Sequence, residues 1–350
     1  MDWFERLTGF REEGYDTTRA RLGVEGASLV SRVNGQRHGI GRLELPTLHA
    51  LRKRSPAVRT PGPRTTLQAL AGDVRELHRD TRFAGALFQV ASQFNLLEMV
   101  SPQVTPEQGV TRYEHDATQG PACAMAAGAA TFYRNDFAPV GTDAIPGQTA
   151  QRQIDALAPM GQALSALLSR SVAELWNMRN GYALCTPDGL RDVADLLRGL
   201  EAQALDALRG QLSIGLHWQV EVTDAPGPSR PIVSQAFCSV LPVAYSAIPP
   251  SAWQAFATLV LEAAYEATLL AALENRRLCG SPLVLLTRLG GGAFGNDEAW
   301  IDAAILRALW AVEHQGLDVR MVCHGRIPPA VRRLEQQWQS GRADYNASPT

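Results

Sequence analysis

The C-terminal half of the chain alternates between strand-like and helix-like patterns of apolar residues. From Leu212 to Val222, apolar side chains occupy every second position, which predicts a half-exposed strand. The elements predicted after it are, in order, a buried strand at 232–245, a helix at 253–271, a strand at 283–289, a helix that begins near Asn296 or Asp297, and a last strand at 317–323. This alternation of strands and helices predicts an α/β fold with a mixed or parallel sheet.

The N-terminal half is less regular. Residues 1–65 are predicted to form an accessory region, with two strand-like runs around an Asn34-Gly35 turn, a short helix after Pro46, and a basic, proline-rich linker up to residue 64. The elements predicted beyond it are a helix at 66–78, a buried strand at 83–92, a long loop at 93–119, a helix of small residues at 121–133, and mostly helical structure at 147–210. The polar tail at 340–350 is predicted to be disordered.

Composition and charge narrow the function classes. The 33 basic and 35 acidic residues give a net charge of −2, so there is no electrostatic reason to expect nucleic acid or an anionic membrane as a partner. No uninterrupted apolar run has the length of a membrane span, and the acidic, aromatic N-terminus does not resemble a secretory signal, so a cytoplasmic protein is expected, with delivery by a secretion system left open. The five cysteines are scattered without a Cys-x-x-Cys pair, and no metal site is predicted.

A glycine-rich loop follows the strand predicted at 283–289. Gly290, Gly291 and Gly292 are consecutive, Gly295 follows, and a helix then begins. Backbone N–H groups in such a loop can hold an anion, helped by the helix dipole. The loop lacks the Gly-Lys-Ser/Thr ending of a P-loop and the spacing of a dinucleotide-binding turn, so a diphosphate held by the backbone is the favoured ligand. The alternative is a turn whose glycines only let strand and helix pack closely.

The C-terminal half resembles the ADP-ribose-binding macro domain. The resemblance lies in an Ala264-Tyr265 helix, the apolar strand, the loop Gly290–Asn296 and the helix after it; the Gly-Ala-Phe-Gly-Asn segment is similar to poly(ADP-ribose) glycohydrolase relatives of that fold. It implies ADP-ribose as ligand, bound without a cofactor, with phosphate contacts from Gly291, Gly292, Ala293 and Gly295 and a sugar against Phe294. The ligand-binding residues that it implies are Asn95, Gln119, Gly290, Gly291, Gly292, Ala293, Phe294, Gly295 and Asn296.

The first ligand loop departs from the family pattern. Asn95 occupies the position of the family's asparagine, but no triple glycine follows it, and a helical insertion at about 135–210 is needed to account for the distance to Gly290. The resemblance then implies a macro-like three-layer sandwich with a mixed sheet over residues 66–330.

The loop at 93–119 is acidic. Cleavage of an ADP-ribosyl linkage passes through an oxocarbenium-like transition state, in which a carboxylate can orient water or the ribose. Asp116 is favoured for this role, followed by Glu114 and then Glu98, and the Gln119 amide is a candidate hydrogen-bond partner for the ligand. The alternative is an ordinary solvated loop in which Asp116 or Thr118 caps the next helix.

Together these features predict an ADP-ribosylhydrolase that removes mono-ADP-ribose from a modified protein, with arginine-linked ADP-ribose as one candidate substrate. Two other functions remain open: a reader module that binds ADP-ribose without cleaving it, and an α/β interaction protein whose glycine loop is only structural.

Overall fold

The computed structural model describes residues 1–55 and 62–341. The strands are β1 (Leu22–Glu25), β2 (Ser28–Ser31), β3 (Arg37–Gly39), β4 (Arg42–Glu44), β5 (Thr66–Ala71), β6 (Leu87–Ala91), β7 (Pro139–Val140), β8 (Ile145–Pro146), β9 (Trp176–Arg179), β10 (Tyr182–Cys185), β11 (Gly215–Glu221), β12 (Ile232–Cys238), β13 (Leu283–Leu286) and β14 (Asp318–Cys323). The α-helices are α1 (Trp3–Thr8), α2 (Tyr15–Ala20), α3 (Leu48–Arg54), α4 (Val74–Arg79), α5 (Gln119–Ala126), α6 (Gly128–Phe132), α7 (Ala158–Leu168), α8 (Val172–Leu175), α9 (Pro187–Gly199), α10 (Ala202–Arg209), α11 (Pro250–Cys279), α12 (Glu298–Ala311) and α13 (Pro329–Ser340).

A seven-stranded sheet forms the centre of the fold, in the order β4-β11-β12-β6-β13-β14-β5. The strands from β12 to β5 are parallel to their neighbours, whereas β11 is antiparallel to both β12 and β4. The predicted α/β class with a mixed sheet is therefore confirmed.

Helices cover both faces of this sheet. Phe88 of β6 stacks on His78 of α4, with ring centroids 3.7 Å apart. The next side chain, Gln89, donates a hydrogen bond of 2.8 Å to Thr268 of α11. Successive side chains of a strand point to opposite faces, so α4 and α11 lie on opposite sides of the sheet. This gives the three layers that the resemblance implies.

The N-terminal residues pack on the main body in two ways. The hairpin predicted around Asn34-Gly35 is present as β2 and β3, which with β1 form a small antiparallel sheet. Leu22 of β1 and Leu29 of β2 belong to the same hydrophobic cluster as Phe4, whose ring lies 4.5 Å from that of Phe132 in α6. In contrast, β4 is an edge strand of the main sheet, and Arg52 of α3 pairs with Glu266 of α11 at 2.6 Å. Part of the predicted accessory region 1–65 thus belongs to the central α/β body.

Several predicted elements are wrong. Residues 66–78 were expected to be one helix, but Thr66–Ala71 is β5, paired along its length with β14, and only α4 is helical. The alternation expected to leave β11 half exposed gives a strand with one exposed residue, because both faces of the sheet are covered. Within 147–210, β9 and β10 form a hairpin around Asn180-Gly181, where both residues have positive φ.

The longest helix, α11, is apolar enough to resemble a membrane span. It has 30 residues, and an 18-residue window within it has a mean hydropathy of 1.5. By length and composition this helix could span a membrane, although polar residues interrupt its apolar sequence. Inside the protein, 89% of this window is buried, as expected of a core helix. Residues 56–61 of the predicted linker and 342–350 of the predicted tail lie outside the described residues.

Candidate functional site

A cavity of about 430 Å³ lies beyond the carboxyl ends of β6, β12 and β13. Ligands of open α/β sheets bind at this edge, where the loops that follow the strands converge. The residues that line the cavity come from the two loops singled out in the sequence and from two further segments: Ala91, Ser92, Gln93, Glu98, Met99, Val100, His115, Asp116, Ala117, Thr118, Gln119, Gly120, Pro121, Tyr182, Cys238, Val240, Tyr245, Thr287, Arg288, Leu289, Gly290, Gly292, Ala293 and Phe294.

The cavity floor forms where β6 and β13 separate. These strands pair only at Leu87 and Phe88 of β6. Farther along β6, the side chain of Gln119 replaces the missing strand: its Nε2 donates to the Gln89 carbonyl at 2.8 Å, and its Oε1 accepts from the Ala91 N–H at 2.8 Å. The predicted ligand role of this amide has no support in the structure, because the amide is occupied by backbone groups. It positions the start of α5 instead.

Gly120 explains how closely α5 approaches the sheet. A Cβ at this position would lie 2.1 Å from the Ala91 carbonyl oxygen and 3.0 Å from Cγ of Glu98. Only a glycine leaves room for both contacts. The segment after Asp116 therefore turns inward and brings the acidic loop to the cavity.

The glycine-rich loop is a tight structure anchored at both ends. Gly290 has φ +70°, and a Cβ there would lie 2.4 Å from Cγ2 of Val240. Its carbonyl accepts a hydrogen bond of 2.9 Å from the Asn296 N–H. The buried Asn296 side chain donates to the Leu241 carbonyl at 2.9 Å, which fixes the loop to the segment after β12. Gly290 and Asn296 thus shape the loop.

The loop N–H groups divide into occupied and free ones. Gly291 donates to the Arg288 carbonyl at 3.2 Å and Gly295 to the Gly292 carbonyl at 3.0 Å. In the described part of the chain, the N–H groups of Gly290, Gly292, Ala293 and Phe294 have no protein acceptor. These four residues line the cavity, whereas Gly291 and Gly295 do not. The available anion-binding amides are therefore shifted from the predicted set.

The N-terminus of α12 contributes little to this cradle. The Asp297 carboxylate accepts a hydrogen bond of 2.7 Å from the Ala299 N–H, and Glu298 adds a second negative charge to the first turn. Asp297 thus pairs with one of the free N–H groups at the start of the helix, and the two negative charges screen the positive end of the helix dipole. Attraction for an anion thus has to come from the loop amides rather than from the helix dipole.

Three aromatic rings form one wall. Phe294 lies 5.3 Å from Tyr182 and 5.6 Å from Tyr245, and the two tyrosine rings are 5.2 Å apart, measured between centroids. The Tyr182 hydroxyl donates to the Met99 carbonyl at 2.8 Å. Tyr182 belongs to β10 of the insertion and Tyr245 follows β12, and neither was identified as a site residue from the sequence. The Asn180-Gly181 turn was the available signal for the hairpin that carries Tyr182.

Glu98 is a buried acid in the cavity wall. It is 2% exposed, its Oε1 lies 3.4 Å from Nη2 of Arg134, and its Oε2 has no partner among the described residues. Its own N–H donates to the Tyr113 hydroxyl at 3.0 Å. Burial raises the pKa of Glu98 to about 7, although Arg134 and Tyr113 act in the opposite direction. Such a carboxyl can carry and release a proton near neutral pH.

The other predicted acids lie in different places. Asp116 is half-buried, lines the cavity, and accepts a hydrogen bond of 2.9 Å from the Thr118 N–H through Oδ1. This bond shapes the turn before α5. The N-cap residue of α5 is Thr118, and no side chain caps the helix, so the capping alternative is wrong. Glu114 is exposed on the same loop and does not line the cavity.

Asn95 does not line the cavity. It is fully buried; its Nδ2 donates to Oε1 of Gln153 at 2.9 Å and its Oδ1 accepts from the Leu97 N–H at 3.1 Å. The amide nitrogen thus holds the loop against the inserted segment, and the amide oxygen is used within the loop. The family's asparagine role is not available to this side chain in the described arrangement.

The cavity lining also includes a cation, Arg288. Arg288, which follows β13, pairs with Asp302 of α12 and donates to the Glu298 carbonyl at 3.4 Å. In residues 1–55 and 62–341, no group of three or more His, Cys, Asp or Glu side chains is arranged to hold a metal ion.

No family model matches the chain, and no curated protein matches it in sequence. Among solved structures it is similar to poly(ADP-ribose) glycohydrolase from Thermomonospora curvata, with a TM-score of 0.45, 12% identity, and coverage of 92% of this chain and 96% of that chain. It is also similar to the Deinococcus radiodurans enzyme in complex with ADP-ribose, with a TM-score of 0.42, 14% identity, and coverage of 86% and 95%. At these identities and TM-scores the likeness does not assign an activity, which has to be argued from the site.

Proposed function

We propose that this protein is an ADP-ribosylhydrolase that removes mono-ADP-ribose from a modified side chain of a partner protein. One observation carries the proposal: a single cavity brings together four unpaired backbone N–H groups, an aromatic wall and a buried acid with a pKa near 7. Each of these features matches one part of an ADP-ribosyl group. The sequence resemblance to macro domains supports the same ligand.

Binding follows from the loop geometry. The N–H groups of Gly292, Ala293 and Phe294 would donate to the diphosphate, since unpaired amides in a glycine-rich loop are good anion ligands. The ring of Phe294, with Tyr245 beside it, would pack against a sugar face. The proposal needs neither a cofactor nor a metal ion.

The chemistry needs one acid and one carboxylate. In the proposed reaction Glu98, protonated, donates its proton to the leaving nitrogen or oxygen as the bond to the anomeric carbon breaks. Water attacks that carbon and passes its proton to the Asp116 carboxylate, so the products are free ADP-ribose and the unmodified side chain. Glu98 fits the acid role because it is buried, and Asp116 fits the second role because it is half-exposed and charged.

Arginine-linked ADP-ribose is the first linkage to test. Asp116 lines the cavity and provides negative charge there, which would favour a guanidinium leaving group. Serine-linked and carboxylate-linked substrates are the comparison.

The test is release of ADP-ribose from proteins modified on arginine, serine or aspartate and glutamate, followed by chromatography. Turnover on at least one linkage is expected, with Glu98→Gln and Asp116→Asn each reducing kcat at least a hundredfold while ADP-ribose still binds. Glu114→Gln, on the same loop but outside the cavity, is the matched control and should retain activity. Calorimetric binding of ADP-ribose without any turnover would indicate a reader instead, and no rise in melting temperature at millimolar ADP-ribose would indicate a purely structural loop.

A further inference from the structure

Arg134 is a fully buried arginine beneath the cavity. It lies in a π-helical turn, Tyr133–Phe137, directly after α6. Its guanidinium stacks on Phe237 of β12, with Cζ 3.8 Å from the ring centroid. Turns of this kind inside helices are frequent at functional sites, and a buried guanidinium is costly unless its donors are used. The contacts of this side chain therefore indicate why it is there.

The guanidinium holds the acidic loop at two points. Nε donates to the Leu96 carbonyl at 3.1 Å, and Nη2 lies 3.4 Å from Oε1 of Glu98. Nη2 also donates to Thr131 at 3.1 Å, which fixes the orientation of the planar group. One rigid fork thus joins the backbone of the loop to the carboxyl group that the loop presents.

The segment held in this way has an unfavourable backbone conformation. Leu96 has a φ of +64°, a backbone conformation that residues other than glycine rarely adopt. Such a residue persists only where surrounding contacts fix it, and strained residues of this kind cluster at active sites. The bond from Arg134 to the Leu96 carbonyl is one of the contacts that hold this conformation, two residues before Glu98.

We infer that Arg134 is a positioning residue, which holds Glu98 in the orientation required for proton transfer to the scissile bond; this inference rests on the proposed hydrolase function. Arg134 does not line the cavity, so it is not placed to contact a substrate bound there. It acts through Glu98, by fixing the loop and by supplying a positive charge next to the carboxyl group.

The groups that face this pair come from several elements. Tyr113, in the turn before α5, and Cys123 of α5 lie near Glu98, and His217 of β11 lies 3.5 Å from Nη1 of Arg134. Burial lowers the pKa of His217, so this histidine is neutral, and burial raises the pKa of the Cys123 thiol and of Tyr113. Arg134 is therefore the charged partner that most directly affects Glu98, and it lowers the pKa of that carboxyl.

The experiment compares wild type, Arg134→Gln and Arg134→Lys, with Arg209→Gln as control. Arg209 is also mostly buried and ion-paired, with Glu262 at 2.7 Å, but it lies away from the cavity. Arg134→Gln is expected to lower kcat about a hundredfold with little change in KM, and to move the Glu98 limb of the pH profile to higher pH. Arg134→Lys should restore the pH limb, because the charge returns, but not the full kcat, because an ammonium cannot hold both acceptors. Arg209→Gln should change stability alone.

A second readout separates this inference from the proposed function. The carboxyl carbon of Glu98 is titrated by NMR in protein labelled with 13C-glutamate and assigned with Glu98→Gln. A higher midpoint in Arg134→Gln than in wild type supports the inference even if no substrate is turned over, in which case only the proposed function fails. If Arg134→Gln does not fold, Arg134→Lys tests the inference instead. This variant is expected to have a lower kcat than wild type and the same Glu98 limb in its pH profile. Unchanged kcat and unchanged midpoint in the folded variants would overturn the inference.

Discussion

Phe294 and Tyr182 pack against each other with ring centroids 5.3 Å apart, although 112 positions separate them along the chain (294 − 182). Phe294 lies on the glycine-rich loop. Tyr182 lies on the β9–β10 hairpin, which belongs to the insertion and connects α8 to α9. The insertion therefore supplies part of the cavity wall. Through this contact it also limits the positions that the loop amides beside Phe294 can adopt.

The first prediction concerns this contact. Tyr182→Leu removes the ring that supports Phe294, and an aromatic pair of this kind is worth about 0.5–1.5 kcal/mol. We expect ADP-ribose affinity, measured by calorimetry, to fall up to about tenfold. Tyr182→Phe keeps the ring and loses only the hydroxyl, with its bonds to the Met99 carbonyl and to the Gln93 side chain, so it should bind nearly as wild type. Equal loss in both variants would show that the ring contact is not what matters.

The second prediction separates two glycines of the same loop. Around Gly292 no atom lies within 4 Å of an added Cβ, whereas Gly295 has φ +68° and a Cβ there would lie 2.8 Å from Cβ of Ala244. Gly292→Asp should leave the free energy of unfolding within about 0.5 kcal/mol of wild type and abolish ADP-ribose binding, because it places a carboxylate at the anion site. Gly295→Ala should destabilise the fold by about 1–2 kcal/mol. Urea unfolding and calorimetry on both variants check this, and retained binding in Gly292→Asp would argue against the amide cradle.

The third prediction concerns the side chain that replaces a strand. Gln119→Met keeps the volume but leaves the Ala91 N–H and the Gln89 carbonyl without their partners. Each unpaired buried group costs about 1–3 kcal/mol, so a clear loss in urea unfolding is expected. The matched control is Gln103→Met, since Gln103 is exposed, and it should unfold as wild type. If both variants had the same stability, Gln119 would not have the structural role described.

The fourth prediction follows from the pKa of Glu98, which burial raises from 4.5 to about 7. As a proton donor, Glu98 is active when protonated, so kcat should fall as the pH rises through about 7. A pH profile of kcat checks this. A rate that rises across this range would be incompatible with Glu98 as the acid.

The same group affects stability. Between pH 4.5 and about 7 the folded protein binds more protons at Glu98 than the unfolded chain does, so its contribution to the free energy of unfolding is largest below pH 4.5 and is lost as the pH rises through about 7. The shift corresponds to about 3 kcal/mol. Relative to wild type, Glu98→Gln should therefore be more stable at pH 8 than at pH 5 by about that amount, as measured by urea unfolding at the two pH values. A difference that does not depend on pH would contradict the raised pKa.

Local sequence patterns were sufficient to predict those parts of the structure whose conformation depends on residues that are neighbours along the chain. The strand at 283–286, the glycine loop and the helix capped by Asp297 are contiguous, and their conformations follow from apolar runs, glycine freedom and helix capping. The long acidic loop at 93–119 was recognised for the same reason. Its length and its proline and glycine content disfavour strands and long helices, and it contains only short 3-10 helices at Pro106–Gln108 and Thr111–His115 before α5 begins at Gln119.

Local sequence patterns gave wrong predictions where the conformation or the hydrogen bonds of a segment depend on residues far away in the sequence. Thr66–Ala71 has enough helix-forming residues to suggest a helix, but it pairs with β14, about 250 residues later, and becomes a strand. Asn95 and Gln119 are amides of the kind that bind ligands, yet backbone groups and Gln153 already occupy them. Which polar side chains remain free in a fold depends on every buried group that needs a partner, and that cannot be derived from spacing alone.

The sequence by itself determined the α/β class, the position of the glycine-rich loop between a strand and a helix, and the acidic nature of the loop that faces it. Only the tertiary structure decided which loop amides stay unpaired, that Tyr182 and Tyr245 complete the wall, and that Glu98 rather than Glu114 reaches the cavity. The physical reason is that backbone conformation follows largely from neighbouring residues. Burial, hydrogen-bond satisfaction and pKa depend instead on groups brought together from distant parts of the chain.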